Sequence, residues 1–286
     1  MQTFKFEQVL ESLESMDSWL VSLGIKGKSD HWHQAAKTLR RSIEERDRAE
    51  RGESRAFVPN YVHGLFEALE VHAVLQAFSG ETSPALKEKV KRALCGPVQP
   101  PNEEPKNSEG RNTMFELSLA ADWKNRGNPV ELGEPDIRLL LARSTVLVEC
   151  KRPFYEDTVL SNIQDAASQL GKELDKALNL QALGIIAISL SRVFTQNDLV
   201  CKADEQDGKE FARKEFDAMI ERHKATWRVR EFLNFHPRIV AVMFHLAVPW
   251  DIHGERLVYL TLVNYIQAGA SYQTFLSFQR DMERLG

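Results

Sequence analysis

Residues 183–193 read LGIIAISLSRV, an apolar, β-branched run without polar alternation. A strand of that composition is buried on both faces, so it belongs in the middle of a sheet with helices packed on either side. The flanking sequence supplies the remaining layers. A helix is predicted over SEGRNTMFELSLAADWKNRG, with Ser108 as its N-cap and Gly127 past its end. The short extended segments PVEL, DIRLLLAR and TVLVECK follow, then a long helix over roughly 158–180, the central strand, and a charged helix over roughly 207–234. Two strands, RIVAVMFHLAV and RLVYLTLVNYI, close the chain. The order α-β-β-β-α-β-α-β-β describes a mixed α/β domain around one sheet.

Upstream of this domain the pattern is helical. Phe6, Val9, Leu10, Leu13, Met16, Leu20 and Leu23 recur at three- and four-residue intervals, as on one face of an amphipathic helix. The Arg- and Glu-rich stretch HQAAKTLRRSIEERDRAERGESR predicts an exposed helix braced by i,i+4 pairs. A third helix lies between Pro59 and Gly80, and SPALKEKVKRALCG forms a fourth. Residues 96–107, GPVQPPNEEPKN, hold four prolines and read as a linker. The expected organisation is a helical N-terminal region over 1–95 that reads substrate, regulates or dimerises, a linker over 96–107, and an α/β domain over 108–286.

With 286 residues, 43% of them hydrophobic, the chain can bury a sizeable core. No apolar run reaches the ~18 residues of a membrane span, and the N-terminus lacks the basic and apolar regions of a signal peptide. Cys95, Cys150 and Cys201 are odd in number and widely spaced, which fits a reducing cytoplasm and excludes a zinc knuckle. A net charge of −4 argues against a surface that coats polyanions, though not against a local basic groove.

The chemistry concentrates in PDIRLLLARSTVLVECK. A strand alternates its faces, so Glu149 and Lys151 project one way and Cys150 the other. If 135–142 pairs with 145–152 as a hairpin, Asp136 falls beside the Glu149 end. Two carboxylates and one ammonium then meet at a sheet edge. Adjacent carboxylates are costly without a cation between them. Hard oxygen donors of this kind suit Mg²⁺, which takes one or two carboxylates and keeps its waters. The ammonium can hold a phosphate oxygen or assist deprotonation of a water. Glu116 shares a helical stripe with Asn112, Leu119, Ala120 and Trp123, and a carboxylate there must be paired or hold a metal.

Helix Glu116, then Pro135-Asp136, twelve residues, and Glu149-Cys150-Lys151 resemble the PD-(D/E)XK nuclease superfamily, the restriction-endonuclease-like fold. The likeness covers about 109–193. It implies a mixed β-sheet flanked by helices and Mg²⁺ held by Asp136, Glu149 and the backbone carbonyl of Cys150, with Mn²⁺ able to substitute. It further implies that Lys151 assists water attack and that Glu116 contributes as a ligand or through water. A glutamine on the following helix also lines such sites; Gln169 fits best, with Gln164 second. The implied activity is metal-dependent cleavage of nucleic acid, DNA in preference to RNA, by an endonuclease of restriction or phage defence that often works as a homodimer.

Each residue also has a plainer reading. Pro135-Asp136 can be a turn, Glu149 and Lys151 a solvated strand end, Glu116 an ordinary helix glutamate and Gln169 a surface residue. A nuclease fold that only binds nucleic acid or a protein partner is the alternative function. The HWH triplet at 31–33 places its histidines on opposite sides of a helix, and GIKGKSD lacks the spacing of a phosphate loop.

Overall fold

The computed structural model describes residues 2–25, 30–51, 61–95, 103–141, 144–177, 182–195, 205–252 and 256–283. The chain divides into two compact units. The first comprises Met1–Ser118, Asn197–Glu210 and Val248–Thr261, and the second Leu119–Gln196, Phe211–Ala247 and Leu262–Gly286.

In the first unit the predicted helices are α1 (Phe6–Ser22), α2 (Asp30–Glu50), α3 (Tyr61–Phe78) and α4 (Pro84–Ala93), but α2, expected to be an exposed helix, buries Trp32, Ala35, Ala36 and Leu39 on one face. α1 buries Phe6, Val9, Leu13, Met16, Trp19 and Leu20 on one face. Trp19 stacks on Trp32 of α2 and donates its indole N–H to the Phe78 carbonyl at 3.3 Å, which ties α1 to both neighbours. Ser83 caps α4 by accepting from the Leu86 N–H, and Pro84 occupies the first turn, where its missing donor costs nothing. The region is not wholly helical. Gln2–Lys5 form a short strand, β1, a segment too short to show a period in the sequence. It pairs antiparallel with 256–259 of the last strand. Of the proline-rich linker, 96–102 lie outside the described residues and Pro105–Asn107 make one 3-10 turn. The boundary between the units falls further on, at 118/119, within helix α5 (Glu109–Asn125).

The second unit is α/β, as the sequence predicts. Its strands are β2 (Val130–Leu132), β3 (Ile137–Leu140), β4 (Thr145–Lys151), β5 (Ala182–Ser189), β6 (Ile239–Ile252) and β7 (Arg256–Gln267), the last two shared with the first unit. They lie in the order β7-β6-β5-β4-β3-β2. β3 is antiparallel to β2 and β4, while β5 is parallel to both β4 and β6, so the sheet is mixed. The run 183–193 supplies the central strand, and Ile185, Ile186, Ala187 and Ile188 are fully buried. It stops being strand at Ser189; Ser191–Thr195 turn into a short helix, α7. The charged segment is helical over Glu205–His223, α8, and then tightens to a 3-10 turn at Val229–Asn234. A last helix, α9 (Tyr272–Glu283), packs Phe275 and Phe278 inward.

α6 (Val159–Lys176) is the crossover between β4 and β5. It buries Val159, Ile163, Ala166, Leu170, Gly171 and Leu174 at helical spacing. Its seat on the sheet depends on Gly184 of β5. A Cβ at that position would come within 2.9 Å of both Leu170 and Leu174. Glycine therefore sets how closely α6 approaches the strands. Among the described residues no helix is long and apolar enough to cross a membrane.

Candidate functional site

The β3–β4 hairpin has the register that brings the two carboxylates together. Ile137 pairs with Val148, so the residue one step earlier, Asp136, stands opposite Glu149. Asp136 lies in the bend just before β3, where its side chain is not committed to a sheet face. Its Oδ2 accepts the backbone N–H of Cys150 at 2.9 Å, which fixes the carboxylate beside β4.

On β4 the faces separate as period two requires. Val146, Val148 and Cys150 point one way, and Thr145, Leu147, Glu149 and Lys151 the other. The second face is the one that α6 covers, because Glu149 is level with Ile186, and Gly184 on that same row meets Leu170 and Leu174. Gln169, one residue before Leu170, is thereby carried to the end of β4. The Lys151 ammonium donates to Glu149 Oε1 at 2.8 Å and to Gln169 Oε1 at 2.7 Å. Four of the predicted residues, Asp136, Glu149, Lys151 and Gln169, thus form one cluster at the edge where β4 ends.

Glu149 is buried, at 9% exposure. Burial pushes its carboxyl above the ordinary value, the negative charge of Asp136 pushes it further, and the bond to Lys151 opposes both; Glu134 adds a smaller upward push. A strand end that held only a surface ion pair would leave its carboxylate in water. This one is desolvated beside a second anion, with the Lys151 ammonium on Glu149, an arrangement that a further cation would stabilise. Among the described residues no three His, Cys, Asp or Glu side chains gather to hold a metal. Asp136, Glu149 and a main-chain carbonyl are the oxygen donors that the cluster could offer. They are too few for a protein-only cage and suited to Mg²⁺, which retains several waters. The residues fit the ion. The side chain of Cys150 is buried on the opposite face, so only its main chain is placed to take part.

Glu116 lies in the first unit, on the half of α5 before the boundary, and forms an ion pair with Lys89 of α4, both side chains being nearly buried. The cost of a carboxylate on an apolar stripe is thus met by pairing, one of the two solutions open to it. Lys89 is a residue that sequence reasoning missed. Its signal was present: Leu86, Lys89, Val90 and Ala93 share one stripe, and a lysine on the inward side of a helix needs an anion. Next to it, Arg111 reaches Glu67 at 3.3 Å and Glu70 at 3.5 Å, a second buried ionic contact in the helical unit. The HWH triplet is structural where it is described, with His33 3.2 Å from Asp17.

No family model, no curated protein and no solved structure matches this chain.

Proposed function

We propose that the second unit is a metal-dependent phosphodiesterase of the PD-(D/E)XK type that cuts nucleic acid, with DNA as its substrate. One observation carries this reading: an ammonium held by Glu149 and Gln169, beside Asp136, at the end of a buried strand. Asp136, Glu149 and the Cys150 carbonyl are the groups that would hold Mg²⁺. The chemistry such an ion supplies when bound is polarisation of a phosphoryl oxygen and a lower pKa for a water molecule.

The protein's own contribution is positional and electrostatic. An ammonium has three donors. Two are directed at Glu149 and Gln169, which leaves the third for a phosphoryl oxygen as negative charge builds there. Gln169 is a neutral acceptor, so it orients Lys151 without drawing away its charge. The Cys150 N–H keeps Asp136 facing β4, which prevents two like charges from swinging apart before substrate arrives. Pre-orientation of this kind lowers the barrier by removing motion that would otherwise be lost in the transition state. Glu116, already paired with Lys89, is not required by this scheme.

The test is cleavage of supercoiled plasmid with Mg²⁺ or Mn²⁺, comparing wild type with Lys151→Ala. Wild type is expected to nick or linearise the plasmid and the variant to lose at least ~100-fold in rate, the scale set by removal of one charge-stabilising donor. Equal rates for the two proteins would refute the reading.

A further inference from the structure

Past the carboxyl ends of β4 and β5 three side chains stack on one another. The Arg192 guanidinium lies 4.3 Å over the Phe154 ring. Phe154 meets Tyr155 nearly at right angles, with ring centroids 4.7 Å apart. Tyr155 is 49% exposed. We propose that Tyr155 is a stacking platform for an unpaired base, so that the substrate is a DNA strand with single-stranded nucleotides close to the phosphate being cut. This rests on the phosphodiesterase reading and extends it to the form of the substrate.

The place of the platform follows from chain geometry. Lys151, at the end of β4, pairs with Ile188 of β5. Tyr155 comes four residues after Lys151, and four residues reach at most about 14 Å. Arg192 comes four residues after Ile188, in α7. Its contact with Phe154 brings the segments that leave the two strands together over one edge of the sheet. β4, β5 and β6 are parallel, and open α/β sheets bind their ligands outside the carboxyl ends of such strands. Nucleotides of a duplex strand rise about 3.4 Å each, so a base within a few nucleotides of a phosphate at Lys151 reaches Tyr155.

Although exposed, Tyr155 is held. Thr158 Oγ1 donates to its carbonyl at 2.7 Å and accepts its N–H at 3.4 Å. Asn162 Nδ2 of α6 donates to the Thr158 carbonyl at 2.8 Å, which ties the turn to the helix. With its backbone pinned and Phe154 against its ring, the side chain loses little freedom when a flat partner packs on it.

The surroundings suit a base rather than a phosphate. Glu156 and Asp157 follow Tyr155, both exposed, and Glu156 lies 2.7 Å from His223. A phosphate at Tyr155 would face these carboxylates, whereas a neutral base meets the ring. Every base has a π-face that stacks on an aromatic side chain whatever the sequence. Inside a duplex those faces are covered by neighbouring pairs, so the base that reaches Tyr155 is an unpaired one.

Full-length protein in EDTA would be titrated against a fluorescein-labelled single-stranded dodecanucleotide. A chain of the same length and charge built from abasic residues serves as comparison. Wild type is expected to bind the base-bearing strand about tenfold tighter, within the range of one stacked base. Tyr155→Ala should bring the two affinities to within about twofold, and Tyr155→Phe, which keeps the ring, should preserve the preference. Should thermal melting show that Tyr155→Ala does not fold, Tyr155→Leu, apolar but not flat, takes its place with the same expected loss. Equal affinity of wild type for the two strands overturns the platform. So does undiminished preference in the folded alanine or leucine variant, or a phenylalanine variant as weak as they are. Plasmid cleavage by wild type and Lys151→Ala, read alongside in Mg²⁺, separates the two readings. Base preference that depends on Tyr155, without cutting, keeps the platform and loses the nuclease. Cutting that needs Lys151, without base preference, does the reverse, and absence of both overturns both.

Discussion

Gln169 on α6 accepts a hydrogen bond from the Lys151 ammonium at 2.7 Å, across the gap between the crossover helix and the end of β4. Lys151 has a flexible four-carbon stem, and Glu149 alone would let its ammonium swing toward solvent. The second acceptor fixes its direction. Gln169→Ala is therefore expected to lower kcat by ten- to hundredfold with little change in KM, since misplacement of a reacting group by about 1 Å carries that cost. Initial rates of plasmid nicking at several substrate concentrations measure both constants. An unchanged kcat would show that Gln169 is only a neighbour.

The negative charge of Asp136 pushes the buried Glu149 carboxyl above its ordinary value. Asp136→Asn removes that repulsion and keeps an oxygen that can accept from the Cys150 N–H. In the absence of metal the variant should be more stable than wild type by about 1 kcal/mol, in the range seen when a strained functional pair is relieved. With several millimolar Mg²⁺ the order should reverse: wild type gains melting temperature and the variant does not. Scanning calorimetry with and without Mg²⁺ checks both halves. A wild type whose melting temperature ignores Mg²⁺ would count against any metal at this pair.

Lys89 and Glu116 form an ion pair with side-chain exposures of 8% and 14%. Removing one partner takes a close counter-charge from a nearly buried ion. Lys89→Ala or Glu116→Ala should each cost about 3–5 kcal/mol, whereas Lys89→Met combined with Glu116→Leu should recover most of the loss. Urea unfolding of the three variants measures the two losses and the recovery; adding Lys89→Ala/Glu116→Ala closes the cycle that gives the coupling energy. Near-additive losses would mean that the pair is not the main partner of either residue.

The contrast between Glu116 and Glu149 shows how far the sequence reached. Strand period and hairpin register are local rules, so they placed Asp136 opposite Glu149 and put Lys151 on the same face. The apolar run at 183–193 located the sheet centre for the same reason, because burial on both faces leaves a mark on every residue. Glu116 needed its partner to be known, and Lys89 stands 27 residues away on another helix. No periodicity connects two helices. β1 escaped for a simpler reason: four residues are too few to distinguish strand from the start of a helix.

His245 lies on β6 level with Ser189 of β5 and is buried at 5% exposure. Burial lowers its pKa from 6.5 to about 4. The unfolded chain binds a proton near pH 6.5 that the folded chain refuses until about pH 4. Stability from this residue is therefore complete above pH 6.5 and lost as pH falls through that window, on the order of 3 kcal/mol in all. His72, likewise held to about 4 by burial, acts in the same direction. The protein should lose stability on acidification from pH 7 to pH 4.5, and His245→Leu should show a shallower decline over the same interval while His72 keeps it from vanishing. Urea midpoints at half-unit steps of pH give the two slopes. Identical slopes in wild type and variant would mean that His245 is not the buried neutral group its surroundings imply.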